Sequence, residues 1–198
     1  MDRRTFCAIV GATAIGSFYQ ASPTTTIEVG LYLSKTARDE QGSDRLNEIA
    51  HTVDNVIQTT FDGPGYEYHV GPHTVIDTAS APMSDAQSTW TWWKDQPVQY
   101  DHANVLVLSD TQTEWADHGG YADIGGPHAV VNNYTIQHHH VDWLIGLTLH
   151  EVGHCLNATH DQAVVGEQSM TAMGNERGKR RKRRYSTAAR QSMKRFLD

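Results

Sequence analysis

The stretch ANVLVLS, residues 103–109, constrains the fold most. Its apolar residues run on almost without a polar break. A strand can be apolar on both sides only where both of its faces are covered, so this segment reads as a central buried strand. The rest of the chain supplies the cover. TIEVGLYL, residues 26–33, alternates and is rich in β-formers, so it predicts a strand. Leu46, Ile49, Ala50, Val53, Val56 and Ile57 then fall at helical spacing behind Ser43 or Asp44 as N-cap. Gly63-Pro64-Gly65 marks a turn, and residues 66–70 and 74–76 read as one or two strands. Residues 84–96 predict a second helix with a serine cap, its three tryptophans packing on a sheet. A short strand is expected at 129–132. VDWLIGLTLHEVGHCLN reads as one helix from about Val141, and STAARQSMKRFL as a short amphipathic helix capped by Ser186. The order β-α-β-β-α-β-β-α predicts an α/β (α+β) domain, and 198 residues suffice for one domain with its own core.

Charge is unevenly distributed. Between Thr5 and Glu176 the basic residues are Lys35, Arg38, Arg45 and Lys94, against 21 acidic ones, while seven of the 16 lysines and arginines crowd into residues 177–184. An acidic, lysine-poor body repels polyanions, so no nucleic-acid partner is expected. Such a surface resembles that of proteins from salt-loving archaea, where salt screens the self-repulsion. At the start, Arg3-Arg4 precede an apolar small-residue run from Phe6 to about Phe18, too short to span a bilayer. This resembles a twin-arginine export signal. Residues 1–25 are therefore expected to be signal and linker, residues 26–198 the functional domain, and the protein secreted or cell-surface, with no transmembrane span. Cys7 lies in that signal, which leaves Cys155 without an intramolecular partner, as a buried structural thiol.

The chemistry concentrates in HEVGHCLNATHD, residues 150–161. His150 and His154 are four apart, so on a helix both rings share one face, one turn apart, close enough to hold one metal ion. Imidazole nitrogen suits zinc, and a catalytic zinc takes three protein ligands and leaves one position open. Glu151, directly after the first histidine, is placed for general base and acid work in a metal-assisted hydrolysis. Leu144, Ile145, Leu147, Leu149 and Val152 would seat this helix in the core, and Gly153 would allow close packing near the metal.

With His160 included, the pattern reads His150-Glu151-x-x-His154-x-x-Asn157-x-x-His160 and resembles the signature of the metzincin clan of zinc endopeptidases. The clan has glycine where Asn157 stands. That glycine ends the helix with a positive φ, and asparagine is the residue that best tolerates the same conformation. The resemblance implies a metzincin-like fold: a twisted mixed sheet of about four to five strands, a backing helix, an active-site helix, and a small irregular C-terminal subdomain ending in a helix. It implies one catalytic Zn²⁺ held by His150, His154 and His160, with Glu151 as catalytic base. It implies a methionine turn at Met173, with Met170 as the alternative, and an edge strand at Gly120, Tyr121 and Ala122 that pairs with an extended peptide. The expected function is a zinc-dependent metalloendopeptidase, a monomer acting on peptide or protein substrates. A tyrosine soon after the methionine turn is missing, and Tyr185, twelve residues on, receives no catalytic role.

A zinc-bound but non-hydrolytic binding module on the same scaffold is the alternative. His138-His139-His140 is expected to be a solvated loop, with His128 ambiguous. The basic run 177–184 is expected to be a solvated loop too. An electrostatic tether onto the acidic body, an anionic-surface patch or a processing site are its other readings.

Overall fold

The protein is described by a computed structural model. It covers residues 24–63, 65–71, 74–82, 86–109, 119–132, 141–167, 169–174 and 180–198. In chain order the main elements are β1 (Thr25–Ser34), α1 (Lys35–Thr60), β2 (Tyr66–Val70), β3 (Thr74–Ile76), α2 (Ala86–Lys94), β4 (Ala103–Leu108), β5 (Gly120–Ala122), β6 (His128–Asn132) and α3 (Val141–Cys155). A 3-10 turn (His160–Gln162), β7 (Ser169–Met170), β8 (Arg180–Arg181) and α4 (Thr187–Leu197) follow.

β4 is buried at every position. It lies between β1 and β6, parallel to both, in a sheet of order β2-β1-β4-β6-β5. The continuous apolar run has its reason here. Val105 and Val107 point into the larger core, with residues of α1, α3 and α4. Leu106 and Leu108 point to the other face, where Trp90 and Trp93 of α2 pack with Tyr32 and Val130. The tryptophans thus serve as cover for the sheet. β2 and β3 both pair with β1, one after the other along its length, so six strands make a sheet five wide. β5 closes the order and is its antiparallel member, paired with β6.

Three readings of the sequence are revised. α1 begins at Lys35, not after Ser43, because the Ser34 hydroxyl caps it by accepting from the Ala37 N–H at 3.0 Å. Gly42, with φ 74° and ψ 158°, breaks the helix, and the amphipathic part read from the sequence follows that break. α3 stops at Cys155 rather than Asn157. The basic run is not simply a solvated loop: Arg180–Arg181 form β8 in parallel with Ser169–Met170, and Arg183 meets Glu48 of α1 at 3.5 Å. That contact with the acidic body is the tether reading. Ser84 and the histidines at 138–140 lie outside the described residues, as do the signal residues 1–23. Among the described residues no helix is long and apolar enough to cross a membrane.

Candidate active site

α3 is the scaffold of the site. Leu144, Ile145, Leu147, Leu149 and Val152 are each at most 3% exposed. Full burial of such side chains is worth about 1.5–3 kcal/mol apiece, which fixes the helix against the sheet. The opposite stripe carries His150 and His154 into a cleft, both buried, with Glu151 between them.

The helix then ends as the third histidine requires. Asn157 takes φ 67°, the one non-glycine positive φ among the described residues. The Ala158 N–H donates to the Gly153 carbonyl and the Asn157 N–H to the His154 carbonyl, each at 2.8 Å. This pair of bonds is a Schellman closure, with asparagine in the position usually held by glycine. The chain turns back, and His160 arrives at the head of the 3-10 turn with its ring beside the other two.

The Nε2 atoms of the three histidines form a nearly equilateral triangle. His150 and His154 each stand 3.0 Å from His160, and 3.2 Å from one another. Two of the rings are fixed from behind. His150 Nδ1 lies 2.8 Å from the Ala172 carbonyl and His154 Nδ1 2.8 Å from the Ala158 carbonyl. A carbonyl only accepts, so each Nδ1 carries the proton and each Nε2 presents a lone pair to the centre. Converging lone pairs repel unless a cation lies between them. Tetrahedral zinc at 2.0–2.1 Å from each nitrogen requires the nitrogens about 3.3 Å apart, close to what is found. His150, His154 and His160 could therefore hold a metal ion. Burial depresses the pKa of His150 and His154, and partial desolvation that of the more exposed His160, with the Arg181 charge adding to the effect at His150 and His160. They are thereby kept in the neutral form that ligates.

Glu151 is 3% exposed, and burial pushes its carboxyl up to about 8, partly countered by the Arg181 charge. It sits hard against the sheet edge. A Cβ on Gly120 would come within 2.7 Å of both Glu151 Oε1 and the Val130 carbonyl oxygen, so only glycine fits between strand and carboxylate. Gly120, Tyr121 and Ala122 line the same cleft, with Gly119, Leu147, the three histidines, Glu151 and Arg181, around about 250 Å³. The loop after β5 is tied to α3 by the Gly125 N–H donating to the His154 carbonyl at 2.9 Å.

The segment below the cleft is irregular. Residues 171–174 form a turn, closed by the Gly174 N–H on the Thr171 carbonyl at 2.9 Å. Met173 is fully buried beneath α3: a Cβ on Gly153 would lie 2.3 Å from Met173 Sδ and 2.9 Å from Tyr185 Cε1. Met170, also buried, packs on the far side of the turn against Gly174. Of the two methionines, Met173 is the one under α3. Tyr185 donates to the Leu149 carbonyl at 2.6 Å, which makes it a strut of that helix.

Other sequence candidates stand apart. His128 sits on β6 with its ring edge-on to Trp93, 5.8 Å between centroids, on the α2 side of the sheet. Cys155 is buried and directs its thiol at the His128 carbonyl, 3.4 Å away; burial pushes its pKa up. What the sequence did not single out is Arg181. It lines the cleft, donates Nε to the Gly174 carbonyl at 3.2 Å and lies 5.3 Å over the Trp143 ring. Nothing in a run of seven basic residues distinguishes it. The two carbonyls that orient the histidines carry no side-chain signal either.

No protein-family model matches the chain, and neither does any curated protein. Solved structures do. An archaemetzincin from Methanopyrus kandleri superposes with a TM-score of 0.61 at 12% identity, over 87% of this chain and 96% of that one. Metalloproteinase-II from Bacteroides fragilis gives 0.57 at 19% identity, over 91% of this chain and 55% of the other. A chain from a chaperone–substrate complex gives 0.59 at 12% identity, over 88% of this chain and 34% of that one. The protein thus spans about a third to a half of two of these three neighbours. At such identities the likeness is one of fold: a mixed α/β architecture with a mostly parallel sheet, shared with metallopeptidases.

Proposed function

We propose that this chain is a zinc-dependent metalloendopeptidase, with His150, His154 and His160 as metal ligands and Glu151 as the catalytic base and acid. One observation carries the reading: three imidazole Nε2 atoms converge within 3.2 Å beside a buried carboxylate, in a cleft lined by an edge strand. The metallopeptidase-like fold supports it. One zinc ion, when bound, supplies Lewis acidity toward a peptide carbonyl and a more acidic water.

The chain's own residues account for the rest. The Ala172 and Ala158 carbonyls hold His150 and His154 in the ligating tautomer. Glu151 takes the proton of the attacking water and delivers it to the leaving nitrogen. Its dry surroundings raise its proton affinity toward what this shuttling needs. Gly120, Tyr121 and Ala122 pair with the backbone of an extended peptide. Met173, under Gly153, sets the height of the ligand helix. Residues 1–25 act as a twin-arginine signal for export and residues 26–198 as the catalytic domain, working as a monomer on peptides or proteins. The acidic body suits a salt-rich medium, where activity is expected to peak.

Glu151→Gln tests the mechanism. The variant should keep its zinc, measured by metal analysis, and lose at least about 100-fold in cleavage of a mixed peptide library at high salt. Undiminished cleavage by the variant would sink the role of Glu151. Zinc binding by the wild type with no peptide cut across the library would favour the non-hydrolytic module.

A further inference from the structure

Arg181 is the unexplained group in the cleft. β8 brings it in beside the methionine turn, and its Cβ lies against Gly146 of α3, where an added Cβ would approach to 3.0 Å. The guanidinium is pinned on two sides, by the Gly174 carbonyl and by the Trp143 ring. Nη1 is buried without a hydrogen-bond partner. Among the described residues the carboxylate whose charge acts on it is Glu151, which lines the same cleft. A partly buried cation lining a cleft gains from an anion that reaches it. Such a group, held rigid at a wall of the cleft, is built to meet a carboxylate.

We infer that the cleft selects peptides with an aspartate or glutamate next to the scissile bond, and that Arg181 recognises that carboxylate. The inference rests on the peptidase reading for its substrate class. An incoming carboxylate accepts from the cleft-lining guanidinium and neutralises its charge, and its amide isostere does only the first. The acidic body opposes this choice at long range, with four basic against 21 acidic residues between Thr5 and Glu176. Salt screens that distant repulsion far more than a contact inside the cleft. Selection for acidic peptides should therefore strengthen as salt rises.

The test uses peptides in Glu/Gln and Asp/Asn pairs, the variable residue walked across the positions flanking the cut. kcat and KM are measured on the zinc-loaded wild type, Arg181→Gln and Arg181→Lys. Fluorescence anisotropy on zinc-loaded Glu151→Gln, with and without Arg181→Gln, reads binding of the same pairs without turnover. The wild type should favour the acidic member roughly 10–100-fold at one position, the scale of a charge-assisted hydrogen bond. Arg181→Gln should bring the Glu/Gln ratio close to one. Arg181→Lys, which keeps the charge, should retain part of it, which separates recognition from misfolding. Cleavage with no acidic preference overturns the inference and leaves the peptidase reading standing. Arg181-dependent acidic preference in binding, without cleavage, does the reverse. An equal fall in kcat for both members of a pair in Arg181→Gln also overturns it, since Arg181 would then act on every substrate alike. Absence of both cleavage and selective binding overturns both.

Discussion

α3 and the segment from Asn157 to Tyr185 meet at the same three nitrogens, yet they hold their side chains by different means. α3 places His150 and His154 by helical periodicity, and its apolar stripe is locked into the larger core. The lower segment places His160 and Met173 through single contacts: one left-handed residue, a four-residue turn, a two-residue ladder and the Tyr185 hydroxyl. Redundant placement tolerates single changes. Placement by single contacts does not, but it lets His160 be lost without unfolding the protein.

The largest expected effect tests that contrast at the metal. His154→Ala and His160→Ala should each weaken zinc binding by well over about 100-fold, since even partners behind a ligand are worth 10–100-fold. They should differ without metal. His154 is buried and its Nδ1–H satisfies the Ala158 carbonyl, so its loss should lower the melting temperature of the zinc-free protein. His160 is exposed, and its loss should leave that temperature unchanged. Equal destabilisation, read by calorimetry in chelator, would break the comparison.

Met173 comes next. Met173→Ala should cost about 2–5 kcal/mol, as other buried methionines do. Gly153→Ala should cost about 1–3 kcal/mol, because the new methyl meets Met173 Sδ at 2.3 Å. Made together, the two should cost less than their sum, the added methyl filling part of the space vacated. Additive denaturant-melt values would mean that Met173 does not set the height of α3. Tyr185→Phe is smaller. It strips the donor from the Leu149 carbonyl, 2.6 Å away in the buried core, and should cost about 1–3 kcal/mol with zinc stoichiometry retained.

The same contrast decides what the sequence could disclose. β4 was readable because a strand covered on both faces must be apolar throughout, and α3 because a buried stripe and a histidine pair share its period. His160 was reachable because asparagine tolerates the turn that glycine usually makes. The orienting carbonyls of Ala172 and Ala158 were not, since a backbone oxygen leaves no trace in residue type. Arg181 was hidden by its neighbours: seven basic residues look alike until a strand pairing turns one of them inward. The short helical stretch before Gly42 was missed for another reason. Ser34, at the end of a strand, is as good a cap as Ser43, and only Gly42 separates the two helical stretches.

Asn157 gives the smallest effect and the finest test, because it is where the periodic helix gives way to the irregular segment. Its φ of 67° strains any residue with a Cβ, asparagine less than most. Asn157→Gly removes that strain but leaves the unfolded chain more freedom, so the two changes nearly cancel and stability should move by under about 0.5 kcal/mol. Asn157→Ala keeps a Cβ and loses the local polar side chain, and should cost about 1 kcal/mol. Zinc affinity sharpens the result. If the turn alone delivers His160, glycine should bind zinc as asparagine does and alanine more weakly, in the order of their melting temperatures. Zinc affinity indifferent to all three residues would mean that the 3-10 turn and its bonds to Ser186 and Thr159 hold His160 in place without help from the helix end.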